Sequence, residues 1–227
     1  MARHLHFDCF SGISGDMTLG ALVDAGLPFK DLVRGLASLK IDGYRLARKR
    51  VERGAITATK VDVLIEKGFR APLTLAQIKR ILLKSGLPSA VKERSQAVFD
   101  VLADAEGKAH GVEPSHVHFH EVGVIDSFVD VVGGILGLHL LDIQRVTASA
   151  INVGSGMLQS AHGALPVPGP AVAAHPRPVG GAGQRGDAAA DAGAARRPQV
   201  AGVHAEVPDG RALRGGAVGR CVARLAG

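Results

Sequence analysis

Four short segments of the chain carry residue types whose spacing could do chemistry. His116, His118 and His120 alternate with Val117 and Phe119 and are followed by Glu121. Alternate side chains of a strand share one face. A strand over 117–121, with His116 at its edge, therefore sets three imidazoles on one side and turns Val117 and Phe119 towards a core. Neighbouring imidazole-bearing Cα atoms would stand about 6.5–7 Å apart, which lets two or three rings converge on one cation. Imidazole suits nickel, copper and zinc, with geometry choosing among them. The solvated face of an edge strand would show the same alternation.

The second segment follows directly. Asp126, Asp130, Gly133 and Gly137 recur at i, i+4, i+7 and i+11, a narrow stripe on a helix that is otherwise apolar. The glycines admit a close approach by another backbone or a ligand. The two carboxylates need a partner if buried: a metal, a basic side chain or a helix N-terminus. Ordinary surface aspartates are the other reading.

The third segment, Asp8-Cys9-Phe10-Ser11-Gly12-Ile13-Ser14-Gly15-Asp16, joins a strand to a helix. Its small residues expose backbone N–H groups at a helix start, an arrangement suited to phosphate, with Ser11, Gly12, Ser14 and Gly15 as the cradle. It lacks the lysine and the spacing of a Walker A loop. Asp8 and Asp16 could hold a cation, and Cys9 offers a soft ligand. A plain turn with Ser14 or Asp16 as N-cap fits as well. The fourth segment contains Asn152, Ser155 and His162 among glycines, then Pro166-Val167-Pro168. It reads as a strand end, a glycine turn and a stiffened loop of the kind that often carries binding residues.

The elements that position these groups follow from periodicity. Residues 4–8 read as a strand, 16–25 and 28–39 as helices, and 44–53 with 56–66 as a hairpin around Gly54. An amphipathic helix over 74–84 is capped by Thr74, and a second runs over 88–110 with Pro88 near its first turn. A helix over 125–141 and a strand over 146–153 complete the body. This mixture predicts an α/β or α+β domain spanning residues 1–173. With no Trp, one Tyr and seven Phe among 227 residues, its core must be aliphatic.

Residues 174–227 differ in kind. Ala, Gly and Arg make up 33 of these 54 positions, and Lys, Ile, Phe, Tyr and Met are absent. Such a segment buries too little apolar surface to offset its ordering entropy. It reads either as a basic, disordered tail or as the product of a shifted reading frame. The tail also explains the net charge of +6: residues 1–173 hold 19 Lys and Arg against 17 Asp and Glu. No basic stripe interleaved with aromatics marks a nucleic-acid partner. The chain shows no signal peptide and no apolar run long enough to span a bilayer. Its two cysteines suggest no disulfide framework, so the expectation is a cytoplasmic protein.

Taken in order, the four segments resemble the LarC family of nickel-insertion proteins. The residues that carry the resemblance are Phe7 to Met17, His118-Phe119-His120-Glu121-Val122-Gly123, Asp126-Ser127 and Asp130, then Asn152 to Gly156, His162-Gly163 and Pro166-Val167-Pro168. The match covers residues 3–173. It implies insertion of Ni(II) into pyridinium-3,5-bisthiocarboxylic acid mononucleotide, giving the nickel-pincer cofactor that matures apo lactate racemase-type enzymes. The implied reaction forms nickel–carbon and nickel–sulfur bonds and depends on CTP with Mg or Mn, bound in the family's C-terminal half. His116, His118, His120 and Glu121 would then be metal ligands. Asp8, Cys9, Asp16, Asp126 and Asp130 would be catalytic, and Ser11, Gly12, Ser14, Gly15, Asn152, Ser155 and His162 would bind the nucleotide. The chain departs from the family in three places. It lacks a histidine-rich insertion near 66–70, it reads Pro168-Gly169-Pro170-Ala171, and its family-like sequence gives way to the Ala/Gly/Arg tail. A non-catalytic nickel-delivery module, or a phosphate-binding protein with structural histidines, are the competing expectations.

Overall fold

The computed structural model of the chain describes residues 3–9, 11–53, 56–66, 73–117, 119, 124–160, 163–173 and 222–226. At its centre lies β1 (Arg3–Asp8), where Leu5 and Phe7 point into the core and His4, His6 and Asp8 to the other face. It pairs in parallel with β4 (Ile143–Ala148), with Leu5 opposite Val146, and antiparallel with β7 (Val222–Ala226). Helix α5 (Val124–Leu140) feeds β4 and is the core of the body: every residue from 127 to 138 is buried. A helix apolar on all sides must be surrounded. Helices α1 (Gly15–Asp24) and α2 (Phe29–Ala37) cover one side of it, and α4 (Ser89–His110) covers another.

Local chemistry accounts for the boundaries. Ser14 caps α1, and Thr74 with Gln77 forms a reciprocal capping box at the start of α3 (Leu75–Lys84). Helix α3 packs beside α4, and Phe99 of α4 stacks on Phe128 of α5 at 5.6 Å, with Phe119 meeting it edge-on at 6.2 Å. The hairpin of β2 (Tyr44–Arg53) and β3 (Ile56–Ile65) lies against α1. Asp24 at the end of α1 ties the two together. Its carboxylate accepts the Thr59 N–H at 2.8 Å, the Thr59 hydroxyl at 2.7 Å and the Arg50 guanidinium at 2.8 Å.

The mixed α/β class is as expected, and the helices and the long hairpin fall within a residue or two of their sequence-derived bounds. Four features differ. Residues 117 and 119 are not in a strand; a 3-10 turn over Pro114–His116 precedes them, yet Val117 and Phe119 are buried as the alternation requires. The turn forms because Pro114 starts it and the His116 and Val117 amides close back on Glu113 and Pro114. Strand β4 begins three residues earlier than expected and ends at Ala148, because it pairs with β1 only as far as Phe7. The segment read as a glycine–proline loop holds a small hairpin of β5 (Met157–Ser160) and β6 (Gly163–Pro166), followed by the short helix α6 (Pro170–Ala173). The stretch read as lacking any element contains β7, whose backbone completes the open edge of β1. The remaining tail, 174–221, lies outside the described residues. Among the described residues no helix is long and apolar enough to cross a membrane.

Contact between α1 and the hairpin depends on Gly20, where a Cβ would stand 2.2 Å from the Thr59 carbonyl oxygen. Backbone cannot swing away as a side chain does. Gly20→Ala is expected to lower stability by about 1–3 kcal/mol, as overpacking does, read as a lower denaturant midpoint. An unchanged midpoint would mean that the hairpin is not seated on α1 as described.

Candidate functional site

The site is built where the turn after β1 meets the start of α1. Cys9 is fully buried; its N–H donates to the Ser149 hydroxyl at 2.7 Å, and its thiol points to the Phe7 carbonyl at 3.8 Å. The Cys9 carbonyl accepts the Gly12 N–H at 2.9 Å, closing a turn, and the Asn152 N–H at 3.4 Å. Gly12 has φ +89°, a left-handed conformation that glycine adopts without strain, and a Cβ there would lie 3.1 Å from the Asn152 carbonyl. The 9–15 loop and the 149–154 loop are thus laid side by side by shared backbone hydrogen bonds. The Asn152 side-chain oxygen accepts the Gly154 N–H at 2.9 Å, and its backbone N–H and carbonyl meet the loop.

Ser14 then opens α1. Its hydroxyl accepts from the Met17 N–H at 3.4 Å and donates to the Asp16 carboxylate, which itself takes the Met17 N–H at 2.9 Å. Gly15, the first residue of α1, sits directly on Asp130 of α5: a Cβ would fall 2.2 Å from Asp130 Oδ2 and 2.4 Å from its Cβ and Cγ. The buried Asp130 carboxylate therefore lies at the positive end of α1, where a helix dipole favours negative charge. Of the partners foreseen for the α5 carboxylates, a helix N-terminus lies directly beside Asp130. Asp126, half-buried, lies one turn earlier on the same side of α5. The glycines of the stripe serve packing. Cβ atoms at Gly133 and Gly137 would meet Leu19, Leu22 and Leu27 at 2.9–3.0 Å and Leu36 at 3.4 Å, so they seat leucines of α1, α2 and their linker.

Sequence reasoning missed a set of charges beside the loop. Lys60 on β3 stands 3.6 Å from Asp16 and also pairs with Asp62, which binds Lys49 at 2.9 Å. Burial pulls the Lys60 ammonium down, but the bond to Asp62 and the charges of Asp16 and Asp62 outweigh it, leaving its pKa raised. Burial likewise pushes Asp62 up, and the bonds from Lys60 and Lys49 outweigh that, leaving it lowered. The signal was available: Lys60 and Asp62 share a face of an alternating strand. Nothing in the sequence linked that face to Asp16.

The structure therefore brings Cys9, Gly12, Ser14, Gly15, Asp16, Asp130 and Asn152 into one neighbourhood, with Asp8 leading into it at the end of β1 and Ser11 on the turn itself. Ser155 is exposed on the following loop, and His116 is exposed on the 3-10 turn rather than on a strand face. His118, His120, Glu121 and His162 lie outside the described residues. Among the described residues, no three His, Cys, Asp or Glu side chains are grouped to hold a metal ion. The four aspartates do not make a metal centre by themselves, since Asp16 is turned to Ser14 and Lys60.

A family model described as "Nickel insertion protein" matches residues 5–217 of the chain. A Desulfitobacterium hafniense protein, pyridinium-3,5-bisthiocarboxylic acid mononucleotide nickel insertion protein, is 48% identical over 166 residues, covering 73% of this chain and 41% of that protein. A Roseiflexus castenholzii protein whose name likewise refers to nickel insertion is 47% identical over 174 residues, covering 77% of this chain and 44% of its own length. The chain thus spans less than half the length of these curated relatives. No solved structure matches.

Two outcomes follow from this geometry. Gly15→Ala and Asp130→Ala should each destabilise the fold, while the double variant should lose less than their sum, with a coupling of about 0.5–3 kcal/mol in a double-mutant cycle. Additive losses would separate the two residues. Lowered in the fold, the Asp62 pKa makes its contribution present above its unfolded value and lost as pH falls through the folded one. The stability gap between the protein and Asp62→Asn should therefore hold near neutral pH and close below about pH 4; a gap that widened in acid would contradict the pairing.

Proposed function

Because the chain belongs to the nickel insertion protein family, we propose that it receives Ni(II) and presents it to pyridinium-3,5-bisthiocarboxylic acid mononucleotide during assembly of a nickel-pincer cofactor. The observation that carries this reading is the placement of a Gly/Ser loop at the start of α1 directly against Asp130 of α5. Backbone N–H groups at a helix start favour a phosphate, and the mononucleotide brings one. Ser11, Gly12, Ser14 and Gly15 are its proposed cradle, with Asn152, Ser155 and His162 on the neighbouring loops. In sequence, His118, His120 and Glu121 shortly precede α5, where Asp126 occupies the first turn. These residues, with His116 just before them, are the proposed nickel ligands.

Attaching nickel to a ring carbon displaces the proton of that carbon, and a carboxylate is the group to take it. Asp126 and Asp130 are the proposed acceptors. Asp8, Cys9 and Asp16 support the loop. The nickel ion is the cargo of this chemistry, so the site has to release it as well as hold it. Lys60 beside the loop is engaged by Asp16 and Asp62, and no triphosphate cradle is assigned here. CTP with Mg or Mn, where the full-length relatives use it, belongs in this proposal to the portion of them that this chain does not span. Delivery of nickel without completing metallation is the second reading. Cytoplasmic maturation of an apo lactate racemase-type enzyme is the proposed destination.

The test combines the chain with Ni(II), the bisthiocarboxylated nucleotide, CTP and apo lactate racemase, with and without the remaining portion of a full-length relative. Nickel binding by the chain alone and racemase activation only with that portion present is the expected result. Activation by the chain alone would overturn the division of labour. Asp126→Asn should reduce metallation while changing stability by less than about 1 kcal/mol. Nickel affinity should fall in His118→Ala/His120→Ala and below about pH 6, where protonated imidazole cannot ligate.

A further inference from the structure

A second pair of histidines stands on the central sheet. His4 and His6 occupy alternate positions of β1, on the face opposite Leu5 and Phe7, and both are half-buried. Their rings converge on one atom across the strand pair: His4 Nε2 and His6 Nδ1 each lie 2.8 Å from the Thr147 hydroxyl oxygen of β4. The parallel register explains it, since Thr147 is the partner of His6 and lies two residues beyond Arg145, the partner of His4. A hydroxyl has one proton to give. When both rings are neutral, it donates to one nitrogen and accepts from the other, so a ring lone pair always faces the shared point. Stapling β1 to β4 would need only one of these rings.

We propose that His4 and His6, with Thr147 between them, form a second binding site for a late divalent transition metal, Ni(II) in this chain. Two imidazole nitrogens held within hydrogen-bonding distance of one oxygen need only a small rotation to close on an ion at the usual metal–imidazole length of about 2.0–2.1 Å. A tautomer change in one ring then supplies both lone pairs. The hydroxyl either joins as a third donor or yields its place to water. Soft-to-borderline nitrogen donors select nickel, copper or zinc over magnesium or calcium. Asp8 follows on the same face and adds negative charge, while the register partners of His4 on β4 and of His6 on β7 are both arginines, Arg145, which is exposed, and Arg224. The strand that bears the pair leads in the chain to the Cys9–Gly15 loop of the proposed nucleotide site. The choice of nickel rests on the proposed function, but the two-imidazole site does not.

The experiment is Ni(II) titration of the full chain by calorimetry, joined to carbethoxylation of histidines mapped by mass spectrometry with and without nickel. Compared are the unaltered chain, His4→Gln/His6→Gln, Thr147→Val and His118→Ala/His120→Ala. The expected result is loss of one nickel equivalent in the His4/His6 variant, with nickel protecting residues 4 and 6 in the chain that lacks His118 and His120. Glutamine keeps a hydrogen bond to Thr147, and Thr147→Val should retain the metal, so a folding defect cannot imitate the loss. Unchanged stoichiometry with residues 4 and 6 equally reactive would overturn the site. Protection by zinc or copper but not nickel would overturn the nickel assignment. Protection of residues 4 and 6 alongside failure of His118 and His120 to bind would sink the earlier ligand assignment and leave this one standing.

Discussion

Much of this structure follows from one close approach, the contact between Gly15 and Asp130. A buried carboxylate in the middle of an apolar helix is costly unless something stabilises its charge. Here the start of α1 lies against it, at the end of a helix that favours negative charge, and it can come this close only because Gly15 has no side chain. That placement fixes where α1 begins, and therefore where the loop before it must run. The rest of α1 is then seated by Gly20 against the hairpin, while Gly133 and Gly137 accept leucines from α1 and the residues that follow it. A helix with leucines on one side and a glycine on the other can approach α5 and β3 at once, and α1 does both.

The same constraint shapes the chemistry. The loop cannot be rearranged freely, since Cys9 is held by Ser149 and its carbonyl is shared by Gly12 and Asn152. Preorganised backbone donors bind an anion without the entropy cost of ordering a mobile loop. Lys60 and Asp62 add a second restraint by holding Asp16 from the hairpin side. The proposed nickel delivery would place opposite demands on its donors. Ligands must be soft enough to select the ion and few enough to let it go, which suits histidine pairs better than a closed cage of carboxylates.

Periodic elements were legible in the sequence because burial imposes the period. The α5 pattern, the capping residues Ser14 and Thr74, and the alternation of β2 and β3 all read through to the structure. What failed did so for physical reasons. Val117 and Phe119 alternate because both are buried, and a turn after Pro114 satisfies that without a strand. Gly133 and Gly137 offered close approach to another backbone or a ligand, and tertiary packing shows that leucine side chains lie there. Strand β7 has a partner only in space, since β1 lies more than two hundred residues away in the chain. Of the candidate site, the loop and Asp130 could be named from sequence, but their contact could not, and Lys60 gave no sign of facing Asp16. The convergence of His4 and His6 likewise depends on Thr147, a neighbour that strand register alone supplies.

The central claim is that nickel and the nucleotide meet where the loop before α1 faces the start of α5. Anomalous diffraction at the nickel edge, from crystals of the chain soaked with Ni(II) and the bisthiocarboxylated mononucleotide, tests it most directly. The account predicts nucleotide phosphate density at the Ser11–Gly15 turn and a nickel peak beside the first turn of α5, within reach of the 118–121 segment. Phosphate density elsewhere, with no nickel peak on the α5 side of that loop, would contradict it.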